Sequence, residues 1–421
     1  MTDRSREPQI TVPSNIKLVE HDLFRSTGGV PIFRLNNSGY GVVRISLIFK
    51  AGVSYQSQPF QASATVNALA EGSSGMGSKE IADFMDFYGL AYDVSVDMEY
   101  SVITICSLDR FTDKALGVIK NVLDPVFPER ELDIYKQKRK QFIAVQRSKV
   151  GYLAQEHFQN VLYGDSTPYG RIFDPADYDR LDRTKLEEFF RAQYTKDNLF
   201  VVISGDSTPE LISSIGEVVD SLPDNGNTES IIPIAMAPRE FFLEKKDAMQ
   251  SALKIGRVLF NRRHPDFIGM QVVAKILGGY FGSRLISNLR EDKGYTYGIF
   301  ASMVNTDISG YFTVSGEVIA RYTDDAVKEV FYEIERMRNE AVPEDELRMV
   351  KNVMIGEIMR ILDGPFGITD VLIENIQNGT DNSHLNRIIS EINGITADRV
   401  MRLAQTYLQP EDLSTVIVGK K

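Results

Sequence analysis

The four histidines, His21, His157, His264 and His384, are the first residues to test for chemistry. A metal site or a nucleophile–base pair needs such groups within reach of one another, and on a helix that means a spacing such as i and i+4. No two of the four stand at that spacing. The single cysteine, Cys106, excludes an internal disulfide and a Cys-rich zinc site, and reads as a small apolar residue of a strand. Neither a G-x-S-x-G nucleophile turn nor a phosphate-binding glycine loop occurs. An autonomous enzyme with a site of its own finds little support in these residue types.

The chain of 421 residues is too long for one ordinary core, so two domains are expected. Apolar residues make up 43% and charged residues 25%, the balance of a soluble globular protein. A net charge of −11 argues against nucleic acid or an anionic membrane as partner. The first residues, "MTDRSREPQI", contain no hydrophobic segment of a signal peptide, and no apolar run approaches the roughly 20 residues of a membrane span. The expected location is the cytoplasm.

The elements that must position any site follow from pattern. Ala-rich "SATVNALA" favours helix; Ser78 is placed to cap "KEIADFMDFY", which Gly89 ends. Alternation from Tyr92 to Met98 reads as a strand, followed by a turn near Glu99 and the β-branched strand "SVITICSL". A helix over roughly 112–124 precedes "FPEREL", which opens a long polar helix to about residue 148. The second half repeats the order. "RFTDKAL" (110–116) parallels "RYTDDAV" (321–327), "FPEREL" (127–132) parallels "VPEDEL" (342–347), and "GLAY" (89–92) parallels "GYTY" (294–297). Offsets of roughly 210 in the same order indicate a duplicated domain. The Pro-, Asn- and Gly-rich stretch 222–240 reads as a linker between domains at 1–221 and 241–421. The fold class is α+β, twice over, each domain a mainly antiparallel sheet with helices packed on one face.

This duplicated plan resembles the insulinase/pitrilysin-type metallopeptidases, a family that includes the mitochondrial processing peptidase and its bacterial relatives. The stretch "ILGGYFGSRLISNLREDKGYTYGIFASM" (276–303) is similar to the family's second-domain signature, "FKAGVSYQ" to its opening strand and "YGDSTPYGR" (163–171) to its Pro-Tyr-Gly segment. Catalytic members carry His-x-x-Glu-His on the first helix of the first domain, and a glutamate roughly 70 to 80 residues later completes the zinc site. With Gly72-Ser73 as anchor, the two histidine positions fall on Ser63 and Asn67 and the glutamate on Val66. No histidine occurs between His21 and His157, so no shift of register restores the pair. No Asp or Glu occurs from 134 to 155, where the third ligand is expected. Ser63 with Asn67, lacking imidazole and carboxylate, would make a poor zinc site.

The resemblance assigns a different pair to the second half. Arg290 and Tyr297 match the family's arginine and tyrosine, which hold the substrate backbone and stabilise the tetrahedral oxyanion. Both donate hydrogen bonds, and the guanidinium adds fixed positive charge. A structural role stays open beside this one: Arg290 capping the preceding helix or pairing with Glu291 or Asp292, Tyr297 an ordinary strand residue. Loss of the zinc motif with retention of Arg290 and Tyr297 implies the zinc-less subunit of a heterodimeric endopeptidase that binds extended peptide. This chain would hold no cofactor, and its zinc-bearing partner would supply the metal. A homodimer and a purely structural or scaffold role are the alternatives.

Overall fold

The computed structural model describes residues 13, 15–35, 37, 39–226, 229, 231–364 and 366–421. The polar N-terminal stretch read for a signal, residues 1–10, lies outside them, as do residues 227, 228 and 230 of the linker. No helix among the described residues is long and apolar enough to cross a membrane.

The first half runs β1 (His21–Arg25), β2 (Pro31–Leu35), β3 (Val42–Phe49), α1 (Gln61–Ala68), α2 (Ser78–Tyr88), β4 (Ala91–Val96), β5 (Ser101–Leu108), α3 (Thr112–Val122), α4 (Glu129–Arg147), α5 (Val150–Tyr163), α6 (Arg183–Gln193), β6 (Leu199–Gly205) and α7 (Pro209–Val219). Its six strands are ordered β1-β2-β6-β3-β5-β4, antiparallel except for the β2–β6 pair. The second half runs β7 (Glu240–Glu244), β8 (Gln250–Leu259), α8 (Phe267–Gly278), β9 (Thr296–Asn305), β10 (Gly310–Ile319), α9 (Thr323–Asn339), α10 (Glu344–Ile361), α11 (Gly367–Asn378), α12 (Ser383–Gly394), α13 (Ala397–Tyr407) and β11 (Ser414–Gly419). Its five strands are ordered β7-β11-β8-β10-β9, with β7–β11 the parallel pair. Strand β4 edges the first sheet and β9 the second. The α+β reading of both halves holds.

Local chemistry explains the boundaries. Gly89 ends α2 at φ 65°, a left-handed position that glycine adopts without steric cost. At the other end Gly77, not Ser78, occupies the N-cap. Its N–H is bound by Glu80 at 2.8 Å, while the Ser78 hydroxyl turns back to Glu71 at 2.7 Å. Pro128 stands just before α4, and its fixed φ suits a helix entry.

The two sheets are tied together by exchanged helices. Helix α5, from the first half, lays Ala154, Phe158 and Val161 on the second sheet, where they share a core with Ala252, Tyr311, Val416 and Val418. In return α11 places Leu372 and Ile373 against Leu35, Ile48 and Val202 of the first sheet. Each sheet therefore has its own helices on one face and a helix of the other half on the opposite face. A bidentate Arg147–Glu156 pair, 3.0 Å at both contacts, sets the turn from α4 into α5.

The β4–β5 and β9–β10 turns also meet. Glu99 is 4% exposed, accepts the Tyr169 hydroxyl, and faces Asp97 and Asp307. Burial, followed by those two carboxylates, raises it from 4.5 to about 7 against the opposing effect of the Tyr169 hydrogen bond. Tyr169 belongs to the Pro-Tyr-Gly segment, so that motif serves the contact between halves.

Candidate functional site

Helix α1 presents Ser63 and Asn67 on its outer side, Ser63 part-exposed and Asn67 exposed. Val66 turns inward and is fully buried in the first-half core, so the three positions do not share one open face. Three positions along a helix leave two residues only about 60° apart, so packing of α1 on the sheet, not spacing, turns Val66 inward. The Ser63 hydroxyl donates to the Phe60 carbonyl at 3.0 Å, and the Asn67 amide donates to the Ser63 carbonyl at 2.8 Å. Both polar groups are committed to their own helix.

What stands beside Ser63 is aromatic and cationic. Tyr178, from the 3-10 turn Pro175–Arg180, stacks on Phe60 with centroids 4.1 Å apart, and Tyr135 of α4 meets it edge-on at 6.2 Å. The Tyr135 phenol lies against Ser63, and burial, then Tyr178, pushes its pKa up. Arg139, one turn along α4, reaches the Tyr178 hydroxyl at 3.5 Å and lies 4.8 Å from the Phe142 ring. A fixed guanidinium and two neutral phenols do not fit zinc, which takes deprotonated or neutral N, O and S ligands. Among the described residues no group of three His, Cys, Asp or Glu is arranged to hold a metal ion. The histidines are dispersed: His157 stacks on Phe241, His264 on Phe260, and His384 is buried in α12.

The second half holds Arg290 and Tyr297 very differently. Residues Ile286–Asp292 form a π-helical turn, with the Lys293 N–H bonded to the Asn288 carbonyl at 3.1 Å. The turn is pinned from α9. The Asn288 amide donates to Glu329 at 3.0 Å and to Glu333 at 2.8 Å, and Lys293 pairs with Glu329 at 2.9 Å. Ile286 and Leu289 fill the core. With both flanks anchored, Arg290 is left exposed, its guanidinium 4.8 Å from the Phe281 ring. Neither Glu291 nor Asp292 forms an ion pair with it among the described residues.

Tyr297 is the extra residue of a β-bulge. Glu317 pairs with Gly298 and Val318 with Thr296, so Tyr297 has no partner on β10. Thr296 Oγ1 fixes the bulge by donating to the Glu317 carbonyl at 2.6 Å and accepting the Gly298 N–H at 3.0 Å. A bulge re-aims a side chain, and Tyr297 is 88% exposed on the sheet edge. Sequence alone places both residues on the signature; the π turn and the bulge that hold them out are tertiary features. Thr296 carries the one legible signal, a hydroxyl where the first-half repeat has Ala91.

Residues 180–354 match the family model described as "Peptidase M16 inactive domain". That span contains Arg290 and Tyr297 and omits α1. The chain is 22% identical over 358 residues to a Bacillus subtilis protein named "uncharacterized zinc protease YmxG", covering 83% of this chain and 85% of that one. It is 22% identical over 278 residues to a Helicobacter pylori "non-peptidase homolog YmxG", covering 64% of each. The fold superposes on a crystal structure of a peptidase M16 inactive domain from Pseudomonas fluorescens with TM-score 0.88 and 21% identity, over 95% of this chain and 98% of that one. The chain is therefore similar over most of its length to M16-type relatives, and its residues 180–354 match the model of that family's inactive domain.

Proposed function

We propose that this chain is the zinc-less subunit of a heterodimeric metalloendopeptidase, binding extended peptide and lending Arg290 and Tyr297 to the zinc site of its partner. One observation carries the reading. Two strong donors are held out of the fold by irregular backbone, and among the described residues neither has an acidic or hydrogen-bonding partner. Irregularities of this kind cost stability and concentrate where function needs them. The free edge of β9, on which Tyr297 sits, suits a peptide that adds as a further strand. A single cysteine in 421 residues fits the reducing cytoplasm.

The test is to mix the purified chain with a zinc-bearing M16 relative encoded beside it and follow cleavage of an extended peptide. Activity is expected in the mixture alone, and to fall strongly with Arg290→Ala or Tyr297→Phe. Stoichiometric zinc and cleavage by this chain by itself would sink the proposal. A stable heterodimer whose activity ignores both substitutions would make the chain a scaffold.

A further inference from the structure

Helix α4 brings Arg139 to the cleft beside Ser63, half-buried against Tyr178 and Phe142. A guanidinium drawn out of water is unfavourable unless a counter-charge meets it. Every other half-buried arginine among the described residues has one. Arg147 faces Glu156, Arg284 faces Glu346 and Arg257 faces Asp412, and the longest such pair, Arg34 with Asp22, is 3.5 Å. Arg139 pairs with no carboxylate among the described residues; the groups that act on it are the phenols of Tyr178, Tyr135 and Tyr152. Burial holds Tyr135 and Tyr152 above the ordinary phenol range, so neither becomes a counter-ion at neutral pH.

The geometry narrows what could complete the site. Arg139 Nε is turned to the Tyr178 hydroxyl at 3.5 Å. Its two terminal nitrogens have no partner, and neither is among the atoms closed to solvent. Together they form an end-on fork whose N–H groups match the two oxygens of a carboxylate. The other half-buried cations of α4 are compensated: Lys136 pairs with Asp133 at 2.8 Å, Lys140 with Asp179, and Arg147 with Glu156. One uncompensated charge suits a monoanion. No Asp or Glu occurs from 134 to 155 to supply it from the same stretch of chain.

We infer that Arg139 makes the cleft beside Ser63 and Asn67 a carboxylate-binding subsite, which takes the C-terminus or an acidic side chain of a bound peptide. The inference rests on the peptide reading above only for the source of the carboxylate. It gives the degenerate half a part in recognition that is separate from Arg290 and Tyr297.

Calorimetric titration of the full-length chain, without any partner, tests it. The probe is an N-acetylated Ala-Ser-Leu repeat peptide in three forms: with a free C-terminal carboxylate, with a C-terminal amide, and with that amide plus one internal glutamate. At least one carboxylate form should bind about tenfold tighter than the plain amide, and which one does so identifies the source. Arg139→Gln should remove that advantage, and Arg139→Lys, which keeps the charge and loses the fork, should reduce it. Thermal melting shows whether each variant is folded, and either folded variant decides. Acetate should displace the carboxylate form more effectively than inorganic phosphate does. Equal binding of all three forms, an undiminished advantage in a folded variant, or stronger displacement by phosphate would overturn the assignment and leave the peptide reading standing. Absence of binding by any form would overturn both.

Discussion

The segments 77–92 and 282–297 have the same length and the same punctuation. Each begins Gly-Ser, turns at a glycine twelve residues later (Gly89 and Gly294, both in the left-handed region), and ends in tyrosine. They fold to different purposes. In the first, α2 is regular, Met85 occupies the place of Arg290, and Tyr92 pairs in register with Ile105 and packs on the core. In the second, the helix is π-wound and Tyr297 is bulged out of the ladder. The fold needs only the first arrangement. The second spends regular hydrogen bonding to expose an arginine and a phenol, which is why the functional reading rests there.

The contrast can be broken most forcefully at the filled cleft. If Tyr178 is a core replacement for a lost site, Tyr178→Ala should cost about 3–5 kcal/mol, as deletion of a large buried ring does, read from the denaturant midpoint. A cost under 1 kcal/mol would mean that the cleft is not packed as a core.

Next in size is Arg290→Ala. In the mixed enzyme it should lower kcat about 10²–10³-fold, the effect of removing one oxyanion donor. The stability of this chain should move by no more than about 0.5 kcal/mol, because Arg290 is exposed and unpaired. Loss of both together would make Arg290 a structural residue.

The contact between the halves supplies the third test. Glu99 titrates near 7 in the folded chain against an ordinary 4.5, so between those values the native state holds more protons than the unfolded one. Stability should therefore fall as pH rises from 4.5 to 7, by up to about 3 kcal/mol, and level off above. Glu99→Gln, which keeps an acceptor for Tyr169, should flatten that slope and stabilise the chain at pH 8. An unchanged profile in equilibrium unfolding would remove Glu99 as its source.

The smallest effect sharpens the comparison of the two tyrosines. The Tyr92 hydroxyl is buried without a hydrogen bond, so Tyr92→Phe should be neutral or stabilise by up to about 1 kcal/mol in thermal melting. Tyr297→Phe should leave the melting temperature alone and act only on the peptidase mixture.

Much of this was legible in the sequence because it depends on local rules. The duplicated order, the αL glycine at 89, the strand after it and the missing zinc ligands are matters of periodicity, special backbone conformation and residue type. The cap at Gly77 was missed because Ser78, a good capping residue, found Glu71 instead. Spacing put Val66 beside Ser63 and Asn67, but the side of α1 that faces the sheet is set by packing, and Val66 lies on it.

Sequence by itself determined the two-fold α+β plan and the lack of His and Glu at positions 63, 66 and 67, since such residues either occur there or do not. Tertiary structure alone decided the helix exchange of α5 and α11, the aromatic and guanidinium fill beside Ser63, and the outward aim of Arg290 and Tyr297. These depend on contacts between residues far apart in the chain, such as Asn288 with α9 and Thr296 with Glu317, and no local pattern encodes which distant partner will arrive.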